Sequence, residues 1–363
     1  MKKSLCCLLL TLLHTTASAF TFLVASDPLI GDNQQTNCEA ANKATLTDMN
    51  DLTDIELPCL SEEPPEKVEK PKGLLLCGNL TTGSALNWTG YWFRRWHTGF
   101  DHLFKVDGRN MLRYPVYEGY GEVDHQHPKI LYNLLLRNRL RESPLYLSEN
   151  GLHYSWNWEG IHFVNLNLYP GRKESCRGSL DFLRDDLSRN LERADQPIII
   201  YHYYPYKNSD SKWSKREKEA AFKIMKGKNI IAIFATGTEN KKHRWNGLDI
   251  YNVATMRKEM NYFVCHIKDD ELIIDRRKNG QWDGRWQKSY QPHVSGEEHA
   301  SICRSSIKRS APTTNARGSA SQSEHLEKMD QSRSTNNRCR SSSHRNRGEH
   351  RPGQRRLLHR SHS

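Results

Sequence analysis

Short apolar runs recur through the body of the chain, and each ends in a polar or glycine-containing turn. This pattern limits the fold more than any other feature. Phe20 to Leu29 is the first run and contains Asp27-Pro28 at its end. Gly73-Leu74-Leu75-Leu76-Cys77 leads into Gly78-Asn79, and Met111 to Tyr117 leads into Gly119-Tyr120-Gly121. Ile198 to Tyr201 ends at His202, and Ile230 to Phe234 ends near Gly237. Runs of this length bounded by turn residues predict strands. His153 to Leu168 is interrupted at Glu159-Gly160, which predicts a hairpin. Tyr262 to Ile267 and Glu271 to Arg277 predict another around Asp269-Asp270. Between strands, Leu180, Leu183, Leu187 and Leu191 have helical spacing within Gly178 to Arg193, stopped by Gln196-Pro197, and Ser214 to Met225 reads as a helix.

Strands alternating with helices predict an α/β fold, and the hairpins add antiparallel pairs, so a mixed sheet is expected. In open α/β sheets ligands bind beyond the carboxyl ends of the strands. The residues at those ends are Asp27, Asn79, the Gly121 to Asp124 segment, His202 and the Gly237 to Asn240 segment.

The two ends of the chain differ from this body. Met1-Lys2-Lys3, the apolar run Leu5 to Leu13 and Ala17-Ser18-Ala19 form a signal-peptide pattern over residues 1–19, with cleavage expected after Ala19. The apolar run is about half of the ~20 residues that span a bilayer. The mature protein is therefore expected to be exported, to a periplasm or the extracellular space, with no transmembrane segment. Residues 20–290 are the expected domain, with 30–72 a polar, loop-rich or helix-bearing insertion broken by Pro64-Pro65. Residues 291–363 read as a basic, disordered tail. From Ser301 onward there are fourteen Lys or Arg against four acidic residues, which accounts for +10 of the +12 net charge. The body is nearly neutral, which argues against nucleic-acid binding by it. The shift to Arg/Ser-rich sequence after about Ser295 is also what a shifted reading frame would produce.

Seven cysteines follow the signal segment, at 38, 59, 77, 176, 265, 303 and 339. One bridge after export is expected, with Cys38 and Cys59 the favoured pair because they share a loop-rich stretch. Asn79-Leu80-Thr81 and Asn87-Trp88-Thr89 match the glycosylation sequon. Trp88, Tyr91, Trp92, Phe93 and Trp96 read as core packing, with a substrate platform the alternative. Arg94, Arg95 and His97 read as a solvated face, with phosphate binding the alternative. His125, His127 and His243 read as surface histidines, with replacement metal ligands the alternative.

The five strand-end segments, in their order, resemble the five signature motifs of calcineurin-like metallophosphoesterases: Asp-x-His, Gly-Asp, Gly-Asn-His-Asp/Glu, His and Gly-His-x-His. The resemblance covers roughly Phe22 to Trp282. It implies a four-layer α/β/β/α sandwich, with two mixed sheets packed together and helices on both outer faces. It also implies two divalent ions, Mn²⁺, Zn²⁺ or Fe²⁺, about 3.5–4 Å apart, clamping the attacking and leaving oxygens of a phosphoester. A histidine beside them protonates the leaving group.

Carried over residue by residue, Asp27 matches the first ligand, while Leu29 stands where the next histidine belongs. Gly78-Asn79 replaces Gly-Asp, so the bridging carboxylate becomes a neutral amide. In Gly121-Glu122-Val123-Asp124, Glu122 replaces the amide ligand and Val123 the catalytic histidine. His202 matches the fourth motif. Gly237-Thr238-Glu239-Asn240 lacks both histidines of the fifth. The resemblance thus implies Asp27, Asn79, Glu122 and His202 as the remaining metal-site residues and no catalytic residue. The expected function is a secreted protein of metallophosphoesterase fold whose phosphoester hydrolysis is lost. Its partner is expected to be a phosphoester small molecule or another protein, met as a monomer. The alternative is an active phosphomonoester or phosphodiester hydrolase with one rebuilt metal at Glu122 and His202, joined by the Asn79 amide. A third reading is the product of a decaying gene.

Overall fold

A computed structural model of the protein describes residues 19–31, 38–58, 66–82, 99–141, 145–205 and 213–290. All belong to the unit Met1–Ala300; the second unit, Ser301–Ser363, lies outside the described residues. So do the expected tail, the aromatic run from Trp88 to Trp96 and the basic residues beside it, Asn87, Cys59 and the side chain of Cys38. The Cys38–Cys59 bridge and the tail expectation thus lie outside the described residues. Cys77, Cys176 and Cys265 are buried free thiols.

Strand β1 (Phe20–Ala25) is buried along its whole length, as a strand covered on both faces must be. It pairs in parallel with β2 (Leu74–Leu76), which pairs in parallel with β3 (Val116–Glu118). On its other side β1 meets the antiparallel run β11 (Tyr262–Lys268), β12 (Glu271–Lys278) and β13 (Gln281–Ser289), completing a six-stranded sheet in the order β13-β12-β11-β1-β2-β3.

The second sheet has seven strands: β4 (Tyr146–Leu147), β5 (Tyr154–Trp158), β6 (Ile161–Asn165), β7 (Ile198–His202), β8 (Ile230–Gly237), β10 (Leu248–Ala254) and, at the edge, β9 (Lys241–Trp245). Its four central strands, β6, β7, β8 and β10, run parallel. The β5–β6 hairpin turns at Glu159 and Gly160, whose φ values of 45° and 80° match the two left-handed positions of a tight hairpin.

Alternation along the strands sends side chains into two apolar clusters. Phe22, Val24 and Leu75 of one sheet meet Phe163, Ile199, Phe234 and Tyr251 of the other. The rings of Phe22 and Phe163 lie edge to face at 5.3 Å, and Tyr117 stacks on Trp156 at 4.3 Å. Residues on the opposite faces, including Leu23, Leu74, Ile198, Ile200 and Ile233, join the cluster formed with the helices. Each such fully buried side chain stabilises the fold by roughly 1.5–3 kcal/mol.

Helix α1 (Cys38–Asn50) covers the first sheet: Asp48 accepts from Tyr262 Oη at 2.6 Å and pairs with Arg277. Helices α3 (Ser179–Arg189) and α4 (Lys215–Met225) cover the second; Asp186 bonds His162 Nε2 at 2.8 Å, and Phe222 meets Trp245 of β9. Ser214 and Glu217 form a reciprocal cap at the start of α4. Helix α2 (Pro128–Leu140) packs beside β3 through Arg137, which bonds the buried Glu118. This is the four-layer sandwich of two mixed sheets that the resemblance implies.

Two readings of the sequence need adjustment. The strand expected over Met111 to Tyr117 is only Val116–Glu118. Pro115 has no N–H to offer a ladder, and Met111 and Leu112 are held elsewhere, by Asn50 Nδ2 and the Leu103 carbonyl. The insertion at 30–72 proves helix-bearing, through α1. Strands β4, β9, β10 and β13 and helix α2 have no counterpart in the sequence reading. The edge strands β9 and β13 carry mixed polar and aromatic residues, without the apolar run that marks a buried strand.

Candidate functional site

Because β1, β2 and β3 are parallel, their carboxyl ends lie side by side. Beyond them the β1 and β2 loops continue to bond each other: Asp27 N donates to Gly78 O, Leu29 N to Asn79 O and Ile30 N to Leu80 O, each at 3.0 Å. Asp27, Leu29 and Asn79 hold left-handed backbone, with φ of 51°, 44° and 48°. For Leu in particular this conformation is strained, and strain of this kind concentrates at functional sites. The loops are also pressed together: a Cβ at Gly121 would sit 2.3 Å from the backbone nitrogen of Asn79.

Asp124 fastens the β3 loop. Its buried carboxylate accepts from the backbone N–H groups of Gly121 at 2.8 Å, Leu80 at 2.9 Å and Thr81 at 3.2 Å. Burial raises its pKa to about 6, against the pull of those donors. The fourth residue of the third motif is thus a loop clamp. Glu122 is half-buried, and its carbonyl accepts from His125 Nδ1 at 2.6 Å. His127 precedes α2, and its carbonyl accepts from Ile130 and Leu131. His243 lies on edge strand β9, opposite Ile250.

Asp27 is buried. Its Oδ2 accepts from Ser26 Oγ at 3.2 Å, and its Oδ1 accepts no hydrogen bond among the described residues. Burial pushes the carboxyl up to about 7; Asn79, Ser26 and the Arg257 charge draw it down, while Asp124 opposes them. Thr255, just after β10, donates to the Asp27 carbonyl at 2.9 Å, which brings the second sheet to this point.

Asn79 is buried with both ends of its amide engaged. Oδ1 accepts from Val123 N at 3.1 Å, and Nδ2 donates to Tyr203 Oη at 2.5 Å. Tyr203 is the first residue after β7. Its N–H bonds Asn167 O at 2.6 Å, and its carbonyl accepts from Thr236 N at 3.0 Å, so the ends of β6 and β8 fix it. Burial raises its phenol pKa, and the carboxylates of Asp27 and Asp124 add to the shift.

His202 is fully buried, its ring edge-on to Trp213 at 5.7 Å. Burial takes its pKa down to about 3, which keeps it neutral. In the fifth segment, Asn240 Oδ1 accepts from Ala254 N at 2.9 Å and its Nδ2 donates to Asn261 Oδ1 at 3.1 Å, while Glu239 pairs with Lys241.

The rim therefore brings together Asp27, Asn79 and the Gly121 to Asp124 loop from one sheet with Tyr203 and Thr255 from the other. Among the described residues no three His, Cys, Asp or Glu side chains form a group able to hold a metal ion. The donors at the rim do not fit a pair of divalent ions: Leu29 has no donor atom, the Asn240 amide is bonded to Ala254 N and Asn261, and the amide at the bridging position is engaged at both ends. Sequence reading missed Ser26, Tyr203 and Thr255. Tyr203 lay in the aromatic run beside His202, where nothing local distinguishes it.

No family model matches the chain, and no curated protein matches it significantly. Among solved structures it is similar to GAP50, described as the anchor in the inner membrane complex of Plasmodium. The identity is 10% and the TM-score 0.51, over 83% of this chain and 99% of that one. TT1561 of Thermus thermophilus is similar at 13% identity and TM-score 0.38, over 68% of this chain and 94% of that one. Vps29 of Chaetomium thermophilum is similar at 10% and 0.30, over 75% and 98%. The likeness to GAP50 is one of fold.

Proposed function

We propose that this chain is an exported binding protein built on a metallophosphoesterase-like sandwich, with phosphoester hydrolysis lost. One observation carries the reading: Asn79, at the bridging position, accepts from Val123 N at its oxygen and donates from Nδ2 to Tyr203 Oη. Two dications about 4 Å apart repel strongly even under protein-like screening, and a bridging carboxylate normally offsets that repulsion. A neutral amide already bonded at both ends offers no such charge. Val123 removes the proton donor as well, and a positioned acid is typically worth ~10²–10⁴-fold in rate.

Export is proposed from the signal-like residues 1–19; no helix among the described residues is long and apolar enough to cross a membrane. The proposed partner is another protein, met at the rim once used for catalysis. GAP50, described as the anchor in the inner membrane complex of Plasmodium, is a protein of similar fold.

The test is hydrolysis of an activated aryl phosphate monoester and diester by the purified protein with Mn²⁺, Zn²⁺ or Fe²⁺. No metal-dependent turnover is expected. Turnover that needs the metal and disappears in Asp27→Ala would replace this reading with that of a hydrolase holding a rebuilt site.

A further inference from the structure

The side chain that the second sheet delivers to the rim is one residue beyond the histidine matched by the sequence motif. Along β7, Ile198 and Ile200 belong to the cluster that includes the helices, while Ile199 and Tyr201 point between the sheets. His202 continues the series of Ile198 and Ile200, and its ring meets Trp213 of that same cluster. Tyr203 then leaves the strand and reaches across to Asn79 at the end of β2. The Asp27 loop runs beside Asn79, with Asp27 N bonding Gly78 O and Leu29 N bonding Asn79 O, each at 3.0 Å. Asp27, Asn79 and Tyr203 are therefore neighbours, and His202 lies under Trp213.

We propose that Tyr203, and not His202, occupies the second sheet's ligand position at this rim, and that its bond to Asn79 excludes a divalent cation from this rim. This rests on the reading of the site as non-hydrolytic and explains how the site stays closed to metal. The amide of Asn79 directs N–H hydrogens, its positive end, at the phenol oxygen, and a cation entering between them meets that positive end. A neutral phenol is a poor ligand beside an imidazole or carboxylate. The bond also ties the two sheets together at the point where a metal would otherwise do so. Asp27 Oδ1, buried and accepting no hydrogen bond among the described residues, lies beside it.

The test measures binding of Zn²⁺ and Mn²⁺ by isothermal titration calorimetry and bound-metal analysis on the full chain, with near-ultraviolet circular dichroism to confirm folding. Asn79→Asp combined with Tyr203→His supplies a carboxylate and an imidazole beside Asp27. It is expected to take up one ion per chain at least about tenfold more tightly than Asn79→Asp combined with Tyr203→Phe, the scale on which metal sites respond to a changed partner. If the first pair fails to fold, the single Tyr203→His compared with Tyr203→Phe reads the same difference. A folded Tyr203→His protein binding no more tightly than its Tyr203→Phe counterpart overturns the proposal. Equally tight binding in the Phe counterpart, lost on His202→Gln, assigns the ligand position to His202. A wild type that turns over aryl phosphates with bound metal overturns both this and the non-hydrolytic reading. A silent wild type with an ion-free Tyr203→His variant overturns this inference alone.

Discussion

Asn79 Nδ2 and Tyr203 Oη stand 2.5 Å apart and join the end of β2 in one sheet to the end of β7 in the other. Similar bonds cross the sandwich nearby: Tyr154 Oη donates to Glu118 O at 2.8 Å and Tyr201 Oη to Tyr117 O at 3.1 Å. The rim is thus closed by a row of side-chain hydrogen bonds between sheets.

Tyr203→Phe removes the acceptor for the Asn79 amide and leaves a buried N–H unsatisfied. The expected loss is about 1–3 kcal/mol of unfolding free energy. Urea denaturation of the variant measures it. A midpoint identical to wild type would show that the bond contributes nothing.

Asp27→Asn should change the dependence of stability on pH. The Asp27 carboxyl is raised from 3.8 to about 7 by burial, so the folded state holds its proton longer than the unfolded chain does. That contribution is fully present below pH 3.8 and is lost as pH rises through 7, about 4 kcal/mol at ~1.4 kcal/mol per unit. His202 acts with the opposite sign. Its pKa falls from 6.5 to about 3, so its contribution is present above pH 6.5 and lost as pH falls toward 3. The two slopes oppose each other between about pH 4 and 6.5. Without Asp27 the protein should gain stability relative to wild type near pH 8 and lose it more steeply on acidification. Denaturation midpoints at pH 4, 6 and 8 check this; a constant offset between the two proteins would refute it.

Glu118→Ala should be among the most damaging single changes. Its buried carboxylate bonds Arg137 Nε at 2.7 Å and forms an ion pair with Arg141 Nη2 at 2.9 Å, and both guanidiniums are themselves buried. Burial alone would raise the carboxyl, but the two arginines hold it below the usual range. Removing it leaves buried Arg141 without a carboxylate among the described residues and buried Arg137 with Asp101 alone, at an expected cost of about 3–5 kcal/mol. Thermal unfolding compares it with Arg137→Ala, for which a smaller loss is expected because Glu118 keeps Arg141.

Asn79 matches a glycosylation sequon and should nevertheless stay unmodified in the folded protein. Its amide is buried and bonded at both ends, so an enzyme acting on folded protein cannot reach it. Peptide mapping by mass spectrometry after expression in a eukaryotic secretory host tests this. A glycan on Asn79 in soluble, folded protein would contradict the geometry described for the rim.

Much of the architecture was legible in local pattern. Leu180, Leu183 and Leu187 mark the buried face of α3 because helical spacing brings them to one side. The alternation from Tyr154 to Asn165, broken at Glu159-Gly160, marks the β5–β6 hairpin. The apolar runs before Asp27, Asn79, His202 and Gly237 mark strands that pair in parallel, β1 with β2 and β7 with β8. Leu29 and Val123 needed no structure to be recognised as lacking donor atoms. Sequence by itself determined these features because burial repeats with the period of the element that is buried.

Tertiary structure alone decided the rest. That Asp124 clamps Leu80 and Thr81 of the β2 loop and that Tyr203 meets Asn79 depend on residues far apart in the chain, and that His202 turns under Trp213 is set by the packing around them. Asn79 and Tyr203 are separated by 124 positions and belong to different sheets. Their contact is set by how the two sheets pack face to face, and no local period in the sequence records that.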